Sequence, residues 1–78
     1  MRPQLQILVS NRSNVPYAEV PRNFMWDLIE YLSIQRVGVT YDFKETFFTV
    51  RFPYTNMRAA QEILDEWAQA PVGLPSIH

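Results

Sequence analysis

Two runs of alternating residues between Val37 and Phe52 predict a β-hairpin. With these two residues aligned, Tyr41 lies opposite Phe48 on one side of the hairpin. Successive side chains of a strand point to opposite faces, so one alignment decides which residues enter the core. The hairpin therefore has a predicted core side and a predicted outer side, and Phe47 falls on the outer side. Residues 43–46 lack Gly and Asn, which the tightest hairpin turns require, so we expect a four-residue connection.

The composition indicates one small globular domain. The chain has 78 residues, 47% of them apolar and none of them cysteine. This apolar share is ordinary for a globular domain and too high for a disordered chain. Without cysteine there is no disulfide and no thiolate nucleophile or ligand, so the core or an oligomer must supply the stability.

Charge and hydropathy argue against two classes of partner. The net charge is −1 and the basic residues are scattered, which is unlike the basic stripe of a strong nucleic-acid binder. No apolar stretch approaches the roughly 18 residues of a membrane span, and the first residues lack the pattern of a signal peptide. We therefore expect a cytoplasmic protein without a membrane partner.

The first half of the chain reads as a strand, a loop and a helix. Residues 4–10 alternate like a strand, with Leu5, Ile7 and Val9 on one face. Residues 11–20 are rich in Ser, Asn and Pro and are predicted to be a loop. Residues 21–35 are predicted to form a helix, because proline suits a first turn and apolar residues then recur at helical spacing.

The second half continues with the hairpin and a second helix. Thr55 or Asn56 is a candidate cap for a helix whose apolar stripe ends at Trp67, which we predict to be buried. Pro71 ends this helix. Residues 1–70 are thus predicted to be a single α+β domain, followed by a Pro-rich tail over residues 71–78.

The element order predicts a ferredoxin-like β-α-β-β-α plait. A right-handed crossover leaves room for the third strand between the first two, which gives the sheet order 1-3-2. Both helices then cover one face. No clear fourth strand is visible in the sequence.

The residues offer little for catalysis. The one histidine, His78, is the last residue, so a nucleophile has no convincing base. The acidic pairs are better explained as solvated surface, and the two glycines are too few for a phosphate-binding loop. We expect no enzyme activity, no cofactor and no metal site.

The sheet face away from the helices is the predicted contact surface. An unpaired outer edge of the first strand adjoins it, and such edges and apolar patches mark contact surfaces. We expect a protein partner or a second copy of the chain to bind there, although the long loop or the tail covering this face is an equal alternative. The predicted contact residues are Gln6, Leu8, Thr40, Phe47, Thr49 and Arg51.

Two segments resemble the RNA-recognition motif. Residues 7–11 (ILVSN) are similar to its shorter signature and residues 46–52 (TFFTVRF) to its longer one, and a helix starting near Asn56 follows at the usual distance. The resemblance implies a plait in which aromatic rings on the outer face stack bases. Phe47 occupies a stacking position, whereas Leu8 and Thr49 occupy the other two. Glu45 stands where that family has a basic residue.

Binding of single-stranded nucleic acid is therefore the second hypothesis for function. The departures from the motif remove most of the stacking, which contributes roughly 1–3 kcal/mol for each base. A small-molecule pocket between helices and sheet is a third hypothesis without specific support. A protein-interaction module (an adaptor, regulator or inhibitor) remains the leading one.

Overall fold

The computed structural model describes residues 2–10, 12 and 14–70, which form a four-stranded antiparallel sheet and two α-helices. The strands are β1 (Leu8–Val9), β2 (Pro16–Pro21), β3 (Thr40–Phe43) and β4 (Phe47–Arg51). A 3-10 turn (Arg22–Phe24) leads into α1 (Met25–Ile34), and α2 spans Met57–Gln69. The predicted tail, residues 71–78, lies outside the described residues.

The predicted strand order is wrong because the sheet contains a fourth strand that the prediction lacks. The observed order is β1-β2-β4-β3, and every neighbouring pair is antiparallel. The prediction of 1-3-2, with no fourth strand, had assigned residues 11–20 to a loop. In the structure β2 begins within that segment and lies between β1 and β4.

Proline positions explain how β2 fits in the middle of a sheet. The Phe52 N–H donates to Pro16 O at 2.9 Å and the Arg22 N–H to Thr46 O at 3.4 Å, so even-numbered residues of this strand direct their backbone groups towards β4. Pro21 points the other way, where β1 does not extend. Its missing N–H therefore breaks no bond to β4.

The hairpin has the predicted faces but a different register. Tyr41 pairs with Val50 and Phe43 with Phe48, a shift of two positions from the alignment of Val37 with Phe52. A two-residue shift keeps every side chain on its face. Val50 and Phe48 are fully buried, as predicted for the core side. The predicted four-residue turn is too long, because Phe43 belongs to β3.

The first predicted strand is mostly an extended segment bound to α2, which we call the N-terminal arm (residues 2–7). Only Leu8–Val9 joins the sheet, and Val9, predicted on the core side, is exposed. The Ile7 N–H donates to Gln61 Oε1 at 2.9 Å, and Gln61 Nε2 donates to Leu5 O at 2.9 Å. One glutamine side chain thus makes the two bonds that a neighbouring strand would make.

Arg2 fastens the arm to both helices. Its Nε and Nη2 donate to the two carboxylate oxygens of Asp27 in α1, at 2.7 and 2.8 Å. Its Nη1 donates to the carbonyls of Trp67 and Ala70, at 3.0 and 2.9 Å. The cation therefore binds carbonyls at the C-terminal end of α2, where a helix favours positive charge.

The predicted helices are present, although the first is shorter than expected. The prediction of residues 21–35 is wrong at its start, because Pro21 ends β2 and α1 begins at Met25. The second helix begins as expected, with the Asn56 side chain accepting the Ala59 N–H at 2.8 Å. Trp67 is fully buried, which confirms its predicted place in the core.

Both helices pack on the same face of the sheet. Their buried side chains form one cluster with inward side chains of β2 and β4. The members from the helices are Leu28, Leu32, Ala60, Leu64 and Trp67, and those from the strands are Ala18, Val20, Phe48 and Val50. Among the described residues, no helix packs on the opposite face of the sheet.

Candidate functional site

The sheet face opposite the helices is the candidate functional site, and we call it the open face. Residues directly opposite each other in antiparallel strands share a face, so the strand register defines its members. The open face consists of Leu8, Tyr17, Glu19, Pro21, Thr40, Asp42, Phe47, Thr49 and Arg51.

The strand register arranges the open face in three rows. One row has apolar and basic groups, the middle row is acidic at both ends, and the third is apolar. They are Leu8-Tyr17-Arg51-Thr40, then Glu19-Thr49-Asp42, then Pro21-Phe47. An acidic row thus lies between two rows that contain aromatic rings.

A groove of about 360 Å³ runs over the middle of the open face. Thr49 is 6% exposed at its centre, because β4 has a strand on each side. The walls add two further hydroxyl groups, from Ser10 and Tyr17, and charged groups from each flank. The groove is therefore lined mostly by polar and charged side chains.

Of the two carboxylates in the groove, one is in ion pairs and the other is not. Asp42 is 3.0 Å from Lys44 Nζ and 3.9 Å from Arg51 Nη2. These side chains are roughly half exposed, so the ion pairs add little stability, and their main effect is to neutralise one another. Glu19 is exposed and has no ion pair with any residue that the structure describes. It is the carboxylate of the groove without an ion pair, although the four charged side chains that line the groove sum to zero.

The structure brings most of the predicted contact residues together. The ones on the open face are Leu8, Thr40, Phe47, Thr49 and Arg51. Gln6 is exposed in the N-terminal arm, outside the strands. Thr49 offers little surface for contact because it is buried, whereas Phe47 is half-buried.

Three open-face residues are absent from the prediction: Tyr17, Glu19 and Pro21. All three lie in β2, whereas the prediction places the first two in the long loop and Pro21 at the start of the first helix. Their signal was the alternation with Ala18 and Val20, which are buried on the other face. The flanking prolines hid this alternation, because prolines usually mark a turn.

Two tyrosine hydroxyls outside the groove have a pKa above the ordinary value of a phenol. Burial raises the pKa of the Tyr41 hydroxyl above its ordinary value, and this side chain points to the core side. Burial, and secondarily the charge of Glu66, raise the pKa of Tyr31 on α1. Both phenols therefore stay neutral well above pH 7. His78 lies outside the described residues.

Over residues 2–10, 12 and 14–70, no cluster of three or more His, Cys, Asp or Glu side chains is placed to hold a metal ion. Neither α1 nor α2 has the length and apolar character that crossing a membrane requires.

Comparisons of the chain with protein-family models, with curated proteins and with solved structures find no match. The geometry of the open face is therefore the basis on which a function is assigned.

Proposed function

We propose that this protein is a non-enzymatic interaction module that binds an extended segment of a partner protein on the open face. The observation that carries the proposal is the open face, on which the rings of Tyr17 and Phe47 lie on either side of Glu19 and which no described helix covers. A face that combines apolar groups with a few charged groups suits a peptide, because the apolar groups supply affinity and the charges fix orientation.

The charges of the groove indicate the chemistry of the partner. Asp42 forms ion pairs with Lys44 and Arg51, whereas Glu19 has no ion pair with any described residue. Glu19 is the group that gains an ion pair when a partner binds, because its carboxylate attracts a lysine or arginine of the partner. The preferred segment thus carries one basic residue.

The apolar residues beside Glu19 indicate what flanks that basic residue. Tyr17 and Leu8 lie opposite each other on one side, and Phe47 lies beyond Glu19 next to Pro21. Aromatic side chains provide much of the binding energy at protein interfaces. A segment with apolar residues on both sides of its basic residue fits this arrangement.

A selection from a phage-displayed library of random peptides tests the proposal. We expect the wild-type protein to enrich peptides that carry a Lys or Arg flanked by apolar residues. The variant F47D should lose these peptides, because it removes a ring and adds a second negative charge. E19K should lose them as well, since it repels the basic residue.

The matched control is F43D, which makes the same substitution at the edge of the sheet on the opposite face. Thermal unfolding of each variant checks that the domain still folds. Failure of the wild type to enrich any peptide, or equal binding of enriched peptides to F47D and wild type, contradicts the proposal.

Single-stranded nucleic acid remains the second candidate, and one observation favours it. Tyr17 shares the open face with Phe47, and Arg51 lies directly opposite Tyr17. Two rings and a guanidinium on one face resemble a stacking surface more closely than Phe47 alone. The carboxylates of the middle row oppose it, because they repel phosphates.

A titration with mixed-sequence single-stranded oligonucleotides at low salt distinguishes the two candidates. Binding that strengthens as salt falls, and that is lost in F47D, supports nucleic-acid recognition. Absence of binding in the micromolar range removes this candidate and leaves the peptide selection unaffected.

The connectivity also supports the predicted plait in a modified form. β2 and β3 are parallel to each other on either side of β4, and both helices cover one face. In this modified plait, β1 lies at the sheet edge beside β2. It comes before the two strand–helix units in the chain, whereas a fourth strand in the usual plait comes after them. The open face is then the surface that plaits leave free for binding.

A further inference from the structure

The strand β3 forms the longer free edge of the sheet. It spans four residues and, within residues 2–10, 12 and 14–70, pairs only with β4, whereas β1, at the other edge, spans two. The Lys44 N–H donates to Phe47 O at 2.9 Å, so these two residues form a hydrogen-bonded pair. Such pairs alternate along an antiparallel ladder, and the backbone groups of Tyr41 and Phe43 therefore point away from β4.

The side chains along this edge are apolar on the side of the helices. Phe43 is 52% exposed although it stacks on Tyr41 with ring centroids 6.1 Å apart. A large, half-exposed aromatic ring beside unpaired backbone groups is the pattern of an edge that accepts another strand.

We propose that two copies of the chain pair through β3, antiparallel and about a two-fold axis, to form one continuous sheet. Phe43 lies opposite Phe43 of the second copy, and their backbone groups form the central hydrogen bonds. The helices of both copies lie on the same side of the joined sheet. This dimer does not depend on the proposed binding of a peptide to the open face.

The charges of the edge select this register. With the two Phe43 residues opposite each other, Asp42 of each copy lies opposite Lys44 of the other. Opposite charges across a strand pair are stabilising and like charges are destabilising. A register shifted by two residues places Asp42 opposite Asp42 and is disfavoured.

Lysine alone on an edge strand normally prevents pairing. Here each β3 edge has one acid and one base, and Asp42 already forms an ion pair with Lys44 at 3.0 Å in its own chain. The edge is therefore complementary to itself. The seam is short, so the expected dimer is weak and concentration-dependent.

Sedimentation velocity over a series of concentrations tests the dimer with charge-reversal variants. We expect the wild type to shift from monomer to dimer as concentration rises. D42K and K44D should each place like charges opposite each other and raise the dissociation constant roughly tenfold to a hundredfold. A mixture of D42K and K44D should dimerise again, because each chain then meets the opposite charge. A misfolded variant would not be rescued in this way.

Three controls complete the experiment. E62K makes the same charge change on the exposed side of α2 and should leave the dimer intact. F43D should abolish the dimer and F47D should not, which separates this edge from the open face. A wild type that stays monomeric at its highest soluble concentration overturns the proposal, as does a mixture of D42K and K44D that stays monomeric. Dissociation by F47D but not by F43D assigns self-association to the open face instead.

Discussion

Arg36 ends α1 in a left-handed conformation that glycine adopts at lower cost. Its φ is 59°, and it is the one non-glycine residue with positive φ in the described part of the chain. The Arg36 N–H donates to Ser33 O at 3.1 Å and the Val37 N–H to Leu32 O at 3.0 Å. These two bonds are those of a Schellman motif, in which glycine is the usual residue at this position.

Replacing Arg36 with glycine should therefore stabilise the protein. We expect R36G to raise the free energy of unfolding by about 1 kcal/mol, because the left-handed conformation costs an arginine roughly 1–2 kcal/mol and costs glycine nothing comparable. The Arg36 side chain is exposed and has no ion pair within the described residues that would be lost. Urea unfolding measures the change.

The neighbouring residue provides the control. Gln35 has φ −76°, a right-handed conformation. Q35G should lower the free energy of unfolding by about 0.5–1 kcal/mol, because glycine is disfavoured there. If R36G is destabilised like Q35G, the left-handed conformation of Arg36 carries no strain.

The placement of the glycines explains why the sequence did not reveal this helix end. The expected signal is a glycine just after the helix, but the next glycine is Gly38. A Cβ atom at Gly38 would lie 3.0 Å from Cδ2 of Tyr54, so this glycine allows the loop and the ring to approach. The glycine thus serves packing between two loops, and its position does not identify the end of α1.

At the scale of helices and strands, the elements that local contacts stabilise could be predicted from the sequence. The Asn56 cap and the buried face of α2 follow from spacing within that helix, and the faces of the hairpin follow from alternation. The N-terminal arm was not predictable, because Gln61 and Asp27 lie far from it in sequence. Its alternation is that of a strand, but its partners are side chains of helices.

The arm is expected to depend on Arg2. This side chain is 7% exposed and binds the Asp27 carboxylate through two nitrogens. R2A should lower the free energy of unfolding by about 2–4 kcal/mol, because it leaves Asp27 and the carbonyls at the end of α2 without their partner. The free energy of unfolding of R2K should lie between those of the wild type and R2A, because an ammonium group keeps the charge but cannot reproduce the planar fork of the guanidinium.

The control position for the substitution of Arg2 is Arg58, an exposed residue of α2. R58A removes the same charge and should change the free energy of unfolding by less than about 0.5 kcal/mol. Hydrogen exchange should also show faster exchange at the Ile7 amide in R2A, because the arm is released from α2. Equal stability of R2A and R58A would mean that the arm does not contribute to the fold.

At the scale of the whole molecule, the strand order depends on one segment, Pro16–Pro21, whose sequence is compatible with either a turn or a strand. Six residues, Pro16–Pro21, have proline at both ends and only four residues of alternation between them. The prolines of such a segment predict a turn, whereas its alternating residues predict a strand. Burial of Ala18 and Val20 in the core cluster that also contains helix residues favours the strand. That burial is a property of the assembled core. A reader of the sequence could predict the hairpin and the helices, but not the strand that joins β1 to β4 or the part it adds to the open face.

The stability of the assembled molecule is expected to depend most on Trp67. It is fully buried, with the ring of Phe24 edge-on at 6.0 Å and the Arg2 guanidinium 5.6 Å from its ring centroid. It thus joins the turn before α1, the N-terminal arm and α2. W67A should lower the free energy of unfolding by about 3–5 kcal/mol, a large share of what a small domain has.

A second substitution identifies which property of Trp67 matters. Its indole N–H has no hydrogen-bond partner among the described residues, so the packed ring, and not a polar bond, supplies the stability. W67F should therefore keep much of the stability and cost about 1–2 kcal/mol for the smaller ring. In thermal unfolding, W67A should lower the midpoint by about 15 °C or more, and W67F by roughly 5–15 °C. If W67F is as unstable as W67A, the indole N–H has a role that its surroundings do not explain, and the core depends on more than apolar packing.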